Sequence, residues 1–459
     1  MDKTTCVVVG AGGAGSACAY SLAQKGIETV LIERGTTPGE KNVAAFIMYV
    51  EVLQHLIPDY LDDAPFDRNI VRTDQVILGS NHTKTIQSYS YDWLQNPVAF
   101  SSFRRKFDAW LANKARDAGA QLITGQKVTD LIMDAGRVVG VRVGDEELYA
   151  DVVVGCEGFH TIVGEKAGLV KDWPPERCML GVKQVLDLPE ETINERFQLT
   201  DGVGCEIGVY FHDFKGLSTA AGTIYTNTDA VSLTLLARVD ELQQNRIKLH
   251  EHLEMIKQEP YYRNLLKGAS LREYACHILS DGGRVDPHNL YGDGVLLCGE
   301  AGGIEQTHSG MGVPVAMLSG MMAAEAIAEA VKKKDFSRKT LKNYLYFLKS
   351  TSLMGIIKQS RKTSDYFAGR GKQELAAQLK AAAEIYDQYW KSDFSYISRS
   401  TFSLVNELYR RIGKYSVPKF LHWFIVIILK LISLPGILIE KLRRTTRSRY
   451  YDWKKQPIN

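Results

Sequence analysis

Residues 6–35, CVVVGAGGAGSACAYSLAQKGIETVLIERG, decide the fold of this chain. An apolar, β-prone run leads into Gly10, Gly12 and Gly15, which have the spacing G-x-G-x-x-G, and a helix-forming segment follows. A second apolar strand then ends at Glu33. A glycine motif alone is weak evidence. A motif between a strand and a helix, with an acidic residue after the next strand, is typical of a dinucleotide-binding βαβ unit.

Each residue type in this unit has a physical task. Gly10 permits the tight turn, Gly12 lets the backbone approach a pyrophosphate, and Gly15 lets the helix pack against the strand. The helix N-terminus offers free N–H groups and a partial positive charge to the phosphates. Glu33 can accept hydrogen bonds from a ribose. The predicted cofactor contacts of the unit are Gly10, Gly12, Gly13, Ala14, Gly15, Glu33 and Arg34.

A second glycine loop, CGEAGG at residues 298–303, indicates which dinucleotide is bound. A nicotinamide cofactor needs no contact so far along the chain, whereas FAD, held along its whole length, does. Glu300 follows an apolar strand and is suited to bind the ribityl or pyrophosphate region. The loop before the next helix can present backbone N–H groups to the pyrimidine end of the flavin. The predicted contacts in these two loops are Gly299, Glu300, Gly310, Met311 and Gly312.

The order of the segments predicts several structural units. The chain has 459 residues, of which 45% are hydrophobic, enough for a large core. Two stretches with strand, glycine-loop and helix patterns lie on either side of a β-rich stretch, and helical patterns follow the second of them. Residues 38–97 show few regular signals. We predict an FAD-binding domain at 1–175 and 275–335, a β-rich substrate or quinone domain at 176–274, a helical region at 336–415 and a tail at 416–459.

The seven cysteines indicate a reducing compartment. None has the spacing C-x-x-C, and most lie in apolar runs, so we expect buried free thiols and no disulfide, zinc site or iron–sulfur cluster. Because a strand-like run begins almost directly after Met1, no signal peptide is predicted. The body of the protein is therefore predicted to be cytoplasmic.

The sequence resembles the FixC-type branch of the electron-transfer-flavoprotein:quinone oxidoreductase family and, more distantly, the geranylgeranyl reductases of the same flavoprotein superfamily. The resemblance covers most of residues 5–400. It is carried by VVVGAGGAGSACA, LIERGTTPGEKNV, FRRKFDAWLANKARDAGA, GTIYTNTDAVSLTLL and LLCGEAGG. It implies an α/β fold with an FAD-binding Rossmann-like domain of the aromatic-hydroxylase and glutathione-reductase type, and electron transfer from a reduced flavoprotein to membrane quinone.

The resemblance also implies particular contacts and partners. Arg104 would contact the FAD phosphates, and Val128 would offer its backbone to the adenine. Asn42, Glu157 and Gly158 match further cofactor-binding segments. The sequence predicts no catalytic residue and no metal ligand. Because the chain lacks the four-cysteine cluster of some family members, a separate ferredoxin-like subunit or direct contact with the donor, electron-transfer flavoprotein, is expected.

Several residues depart from the family pattern and keep other functions open. Ala44, Ala45 and Phe46 replace a Gly-Gly segment near the flavin ring, Glu300 replaces an aspartate, and Glu157 follows Cys156 in an altered motif. A flavoprotein-like subunit without catalytic activity is therefore one alternative. An FAD-dependent reductase of prenyl-lipid double bonds is another, because it also needs FAD and access to lipid.

The C-terminal tail is apolar and basic. Residues 401–459 hold 12 Lys/Arg and 3 Asp/Glu, and 15 of the 20 residues at 420–439 are apolar. Lys430 and Pro435 interrupt this run, and a central lysine costs a spanning helix about 2.5–3.5 kcal/mol. We predict that 416–459 lies in the interface of the cell membrane, on its inner face. A helix buried in a dimer or against the body, and a single span, are alternatives. No basic groove or helix-turn-helix pattern indicates nucleic acid.

Overall fold

The computed structural model describes residues 3–42, 45–78, 83–171, 173–214, 216–281, 286–306 and 310–368. The chain divides into two compact units, Met1–Gly369 and Arg370–Asn459, and the described residues belong to the first. Ala44, the tail at 416–459 and most of the predicted helical region at 336–415 lie outside the described residues.

The strands and helices follow one another along the first unit as follows. The strands are β1 (Lys3–Val9), β2 (Thr29–Ile32), β3 (Ala45–Tyr49), β4 (Phe66–Leu78), β5 (Thr83–Tyr89), β6 (Ala99–Phe103), β7 (Gln121–Ile123), β8 (Val128–Asp134), β9 (Arg137–Val143), β10 (Glu146–Gly155), β11 (Cys178–Asp187), β12 (Val203–Phe214), β13 (Leu217–Thr226), β14 (Ala230–Arg238), β15 (Ser270–Ser280), β16 (Tyr291–Gly292) and β17 (Val295–Leu297). The helices are α1 (Gly13–Gln24), α2 (Glu51–Leu56), α3 (Asp92–Gln95), α4 (Arg104–Asp117), α5 (Ile162–Lys166), α6 (Glu190–Phe197), α7 (Val239–Gln244), α8 (Leu249–Gln258), α9 (Pro260–Leu265), α10 (Gly312–Lys333), α11 (Arg338–Leu341), α12 (Asn343–Ser350) and α13 (Leu353–Ala368).

The first sheet has a parallel centre in the order β17–β10–β1–β2–β7. Its strands are continuous apolar runs because both faces are covered, as in β1, where Val7 and Val8 are fully buried on opposite faces. The short β16 adds to β17, and the β8–β9 hairpin adds to β10, both antiparallel. The predicted α/β Rossmann-like fold is confirmed, and the predicted strand 29–32 matches β2.

Helices α1, α4 and α10 cover one face of this sheet and share its largest core. Close packing of α1 on α10 depends on Gly320, because a Cβ there would lie 2.1 Å from the carbonyl oxygen of Ala14. The β8–β9 hairpin and α5 cover the opposite face, where Val141 and Val163 are fully buried. The carboxyl edge of the parallel strands stays open between these two layers.

The second sheet has the order β15–β11–β14–β13–β12–β4–β6–β3, and β5 pairs with β4. Helices α6 and α8 pack on one face through Phe197 and Leu253. Strands β3 to β5 come from the stretch 38–97, where few regular signals occur in the sequence, and β6 follows it, so this sheet contains more than the predicted β-rich unit. It curls strongly: Lys183 on β11 contacts the carbonyl of Ala45 on β3, at the far end of the strand order.

Helix α10 lies within the predicted FAD-binding segment 275–335, and helices α11 to α13 lie within the predicted helical region at 336–415. Among the described residues, one helix, α10, has the length and apolar composition that a membrane crossing needs. More than half of its most apolar stretch is buried within the protein, and core helices of water-soluble proteins have the same composition. This composition is therefore weak evidence for a membrane span.

Candidate functional site

A cavity lies at the carboxyl edge of the parallel strands. The residue after each central strand turns into it: Gly10 after β1, Glu33 after β2, Cys156 after β10 and Cys298 after β17. Parallel strands bring their carboxyl ends to one edge, which explains how segments distant in sequence meet. The cavity is lined by Val9, Gly10, Gly12, Gly13, Ala14, Ile32, Glu33, Arg34, Gly39, Lys41, Asn42, Arg104, Gln126, Lys127, Val128, Cys156, Glu157, Gly158, Phe159, His160, Ile162, His277, Leu279, Cys298, Gly299, Glu300, Ile304, Glu305, Gly312, Val313 and Ala316.

The N-termini of two long helices meet at this cavity. Helix α1 begins at Gly13 and α10 begins at Gly312, and both residues line the cavity wall. The two first turns touch, because a Cβ on Gly13 would lie 3.2 Å from Cγ1 of Val313. Free N–H groups and the partial positive charge of both helix ends therefore favour an anionic ligand.

The glycine turn separates ligand-facing from packing positions. Gly10 has a φ of +99°, and a Cβ there would lie 2.6 Å from the carbonyl oxygen of Cys156. A Cβ on Gly15 would lie 1.9 Å from the carbonyl oxygen of Gly10. Gly12 differs, because a Cβ there would meet no protein atom within 4 Å. The space beside Gly12 is thus open to a ligand, whereas Gly10 and Gly15 serve the turn itself.

The carboxylate of Glu33 is held in place by backbone groups. Its Oε2 accepts a hydrogen bond of 2.9 Å from the N–H of Ala11, and its Oε1 accepts one of 2.7 Å from the N–H of Gly35. The first bond ties the end of β2 to the glycine turn. Glu33 therefore enters the cavity with a fixed orientation and spare lone pairs that can accept from a diol.

Arg104, at the first turn of α4, belongs to a buried polar group. Its Nε and Nη2 donate to the two carboxylate oxygens of Asp108 at 3.0 and 2.8 Å. Asn42 Nδ2 also donates to Asp108, at 2.5 Å, and Asp108 has no exposed surface. The guanidinium lies over the ring of Phe46, 5.4 Å from its centroid. Bidentate pairing fixes the plane of Arg104 against the cavity wall.

Two glutamates on the cavity wall have unusual acidity. Burial raises the pKa of Glu157 to about 7, although its Oε1 accepts from the N–H of Val163 at 2.8 Å. Burial also raises the pKa of Glu300 to about 7, against the opposing effects of the N–H of Ser280 and the charge of Arg104. The carboxyl of Glu157 thus accepts from the first turn of α5, whose N-cap is Thr161. A pKa of about 7 lets each of the two glutamates hold a proton near neutral pH.

Strand β15 supplies wall residues that no sequence pattern indicates. His277 and Leu279 line the cavity, at the start of the predicted FAD-binding segment 275–335, where no cofactor contact was predicted before Gly299. Burial lowers the pKa of His277, and the charges of Arg104, His160 and Arg34 lower it further. Glu305 is also on the wall, and Ser280 Oγ donates to its Oε2 at 3.1 Å. Glu305 follows the second glycine loop so closely that the loop itself could have indicated it.

The structure brings most of the predicted cofactor contacts together. Those on the cavity wall are Gly10, Gly12, Gly13, Ala14, Glu33, Arg34, Asn42, Arg104, Val128, Glu157, Gly158, Gly299, Glu300 and Gly312. Gly15, Gly310 and Met311 are not on the wall, and Gly15 instead packs against the turn. For both sets of residues, direct contact with the cofactor stays a prediction. Within the described residues, no group of three or more His, Cys, Asp or Glu side chains is placed to hold a metal ion.

Comparison with known proteins identifies the family. Over 355 residues the chain is 35% identical to Protein FixC of Escherichia coli (strain K12), covering 77% of this chain and 83% of that protein. The chain belongs to the FixC-type branch of the electron-transfer-flavoprotein:quinone oxidoreductase family. The FixC-type chain is also 31% identical over 364 residues to the probable electron transfer flavoprotein-quinone oxidoreductase YdiS of the same organism, covering 79% of this chain and 85% of YdiS.

Two further comparisons agree with this assignment. Residues 3–188 of the FixC-type chain match a family described as an FAD binding domain. Its fold is similar to that of a geranylgeranyl bacteriochlorophyll reductase-like protein from Thermoplasma acidophilum, with a TM-score of 0.70 at 18% identity over 90% of this chain and 98% of that one. The FixC-type chain is an FAD-dependent oxidoreductase of the electron-transfer class. FAD is its cofactor, as the sequence predicts.

The residues present fit this cofactor. FAD is a dianion in its pyrophosphate, and the cavity presents two helix N-termini, the open space at Gly12 and the cation Arg104. The wall also holds Glu33, a carboxylate with spare acceptors, and the protonatable carboxyls of Glu157 and Glu300. These groups therefore suit a ligand that carries both an anionic group and hydroxyl groups.

Proposed function

We propose that this chain takes electrons from a reduced electron-transfer flavoprotein and passes them through FAD to a quinone at a membrane surface. The observation that carries the proposal is the single cavity in which both glycine loops meet below the N-termini of α1 and α10. The printed description of YdiS, an electron transfer flavoprotein-quinone oxidoreductase, supports the choice of donor and acceptor.

The first glycine turn would hold the adenosine and pyrophosphate half of FAD. Gly12, Gly13 and Ala14 offer backbone N–H groups and room at the start of α1. Glu33, with both oxygens oriented by backbone donors, would accept from the ribose. Val128, which begins β8 on the cavity wall, would border the adenine through its backbone.

The second loop and α4 would hold the other half. Bound FAD accepts electrons singly or in pairs, so it can join a one-electron donor to a two-electron acceptor. Arg104, fixed by Asp108, keeps a positive charge on the wall and stabilises added negative charge. Glu300 can hold a proton beside the cavity near neutral pH, and Gly312 exposes the start of α10.

The partners follow from the charge and cysteine patterns. The net charge is +3 for the whole chain, but residues 401–459 have nine more basic than acidic residues, so residues 1–400 are net acidic. A basic, apolar tail at 416–459 would bind the anionic cytoplasmic surface of the membrane. The lipid of that membrane is where quinone is dissolved. Since no C-x-x-C spacing occurs in the sequence, an iron–sulfur centre would have to come from a separate ferredoxin-like subunit.

The test begins with the absorbance spectrum of the purified full-length chain, in which we expect flavin bands. The protein is reduced with dithionite without oxygen, and a soluble quinone analogue is added; reoxidation of the flavin is expected. The same reaction is run with quinone dissolved in vesicles containing anionic lipid. A variant in which Lys441, Arg443, Arg444, Arg447 and Arg449 are replaced by Gln should react normally with the soluble analogue but several-fold more slowly with vesicles.

Each outcome distinguishes the candidate functions. A flavin that stays reduced in excess quinone would reject electron transfer to quinone. A prenyl lipid that gains two hydrogens per double bond would instead establish the reductase alternative, which the fold of the geranylgeranyl reductase-like neighbour permits. A colourless protein that takes up no added FAD would support the subunit without catalytic activity. If the wild type and the variant with five basic residues replaced by Gln are reoxidised at equal rates by quinone in vesicles, the basic tail has no role in the reaction.

A further inference from the structure

Lys183 is a buried amine behind the cavity wall. It lies on β11 and is only 8% exposed. Its Nζ donates hydrogen bonds to the carbonyl oxygen of Ala45 and to the hydroxyl of Tyr225. That hydroxyl also donates to the Ala45 carbonyl, so three polar groups close a ring inside the protein. Lysine is rarely buried in this way without an ionic partner.

Among the described residues, no carboxylate forms an ion pair with this amine. Glu273 on β15 lies near enough to raise the pKa of Lys183, but burial and the charge of Arg104 lower it, and the pKa falls to about 7. Glu206 on β12 is the direct cross-strand neighbour of Tyr225 on β13. Its carboxylate accepts a hydrogen bond of 3.1 Å from Tyr49 Oη and not from the amine.

The amine lies one layer behind the cofactor cavity. Lys183 is paired in register with Ala275 on β15, and His277, two residues further on the same face, lines the cavity. Arg104, whose charge acts on Lys183, lines the cavity as well. A change of charge in the cavity therefore reaches Nζ through protein, where it is screened much less than in water.

We propose that Lys183 Nζ is a redox-linked proton site, which gains a proton when the cofactor in the adjoining cavity is reduced and loses it on reoxidation. This inference rests on the FAD site proposed above. Two electrons from a reduced flavoprotein enter the cofactor, and a proton from solvent binds the amine to offset the added negative charge. On reoxidation the electrons go to the acceptor and that proton returns to solvent.

The magnitude follows from electrostatics. One unit of charge at about 10 Å, with an effective dielectric constant of about 20, shifts a pKa by roughly one unit. Because the pKa of Lys183 already lies at about 7, such a rise changes its protonation around physiological pH. A shift of one unit corresponds to uptake of roughly half a proton midway between the two values. The charged and titratable groups facing the amine are Arg104, Tyr225, Glu206, Tyr49, Glu273 and His277.

A purely structural role for Lys183 would be different. The amine would hold β3 in place through Ala45, and its loss would change FAD affinity or stability without changing proton uptake. Lys183 is thus assigned here as a positioning and proton-holding residue that acts through the cavity wall. It is not assigned as a group that contacts the reacting atoms.

The test is a redox titration of the bound flavin in the full-length protein from pH 6.5 to 8.5. Each proton taken up with two electrons makes the potential fall by about 30 mV per pH unit. We expect Lys183→Met to lower this slope by about 15 mV per pH unit around neutrality, which corresponds to the uptake of about half a proton. Lys183→Arg should lower it equally, because arginine keeps a fixed charge and does not titrate. Lys248→Met, at an exposed lysine paired with Glu251, should keep the wild-type slope.

A second measurement follows the proton directly, with FAD added until each protein is saturated. Proton uptake on reduction is followed with an indicator dye in weak buffer, and wild-type protein should take up about half a proton more than Lys183→Arg. Equal slopes and equal uptake, with FAD bound to both proteins, would overturn this inference and leave the proposed function intact. A wild-type protein without flavin bands would overturn both.

Discussion

Gly15 lies so close to the carbonyl oxygen of Gly10 that a Cβ atom on Gly15 would stand 1.9 Å from it. No side-chain movement can relieve such a contact, because the obstacle is backbone. Gly12, in the same turn, has no protein atom within 4 Å of the corresponding position. One short motif therefore contains a glycine required by the fold and a glycine whose open side leaves room for a ligand.

We expect Gly12→Ala to leave the apoprotein as stable as the wild type and to weaken FAD binding at least about tenfold, or 1.4 kcal/mol. The added methyl group occupies only the space open to the ligand. Gly15→Ala, the matched control, should instead destabilise the apoprotein by several kcal/mol, because the turn must move. Thermal unfolding and FAD titration separate the two effects. A Gly12→Ala protein with wild-type FAD affinity would place the pyrophosphate elsewhere.

The affinity for FAD should fall as pH rises through about 7. Glu157 and Glu300, each with a pKa of about 7, become anionic there and repel the anionic cofactor. The stability of the apoprotein should fall in the window from about 4.5 to 7, because the folded state holds protons that the unfolded chain has released. Glu300→Gln should flatten both profiles by roughly half. Dissociation constants between pH 6 and 8.5 provide the check, and an affinity independent of pH would contradict this account.

Replacing Arg104 by Met should destabilise the protein by about 3–5 kcal/mol and weaken FAD binding. The substitution leaves the carboxylate of Asp108 buried with Asn42 as its remaining hydrogen-bond donor. The double variant Arg104→Met/Asp108→Asn should recover much of the stability, because the unpaired charge is gone, without recovering FAD affinity. Urea unfolding and FAD titration give the two readouts. Recovery of both would show that Arg104 serves the fold alone.

One of the seven thiols should react rapidly with a thiol reagent in the native protein. Cys276, on the edge strand β15, is exposed, whereas the other six cysteines are buried. Burial raises the pKa of the Cys6 and Cys205 thiols and also that of Cys276, so the difference in reactivity comes from the exposure of Cys276. Cys276→Ser should remove the fast reaction, and unfolding in urea should then expose six thiols. Two or more fast thiols in the native protein would contradict the burial of the other six cysteines.

The sequence predicts the βαβ unit well because its signals are local. The apolar run of β1, the glycine spacing and the acidic end of β2 lie within about thirty residues, and each acts on its neighbours. The second glycine loop was predicted to join the first from its motif and its position. Parallel pairing of β1, β10 and β17 then brings the two loops to one edge, as that prediction requires.

The rest of the cavity depends on contacts that no local pattern records. Strands β3 and β6 lie in a stretch of mixed composition, and their pairing follows from the curl of the second sheet. His277 enters the wall because β15 pairs with β11 beside it, and an isolated histidine in a strand gives no warning of that position. The hydrogen bond from Lys183 to the carbonyl of Ala45 joins residues 138 positions apart. Sequence periodicity cannot indicate a contact over such a separation.

The cavity wall is assembled from residues that run from Val9 to Ala316. A ribosome makes the first glycine turn early and the start of α10 only after about two-thirds of the chain. At about 5–20 residues per second, the interval between them is roughly 15 to 60 s. During that time the nascent protein has half a binding site. We therefore expect FAD to bind only late in synthesis, and chains that stop before α10 should leave the ribosome colourless.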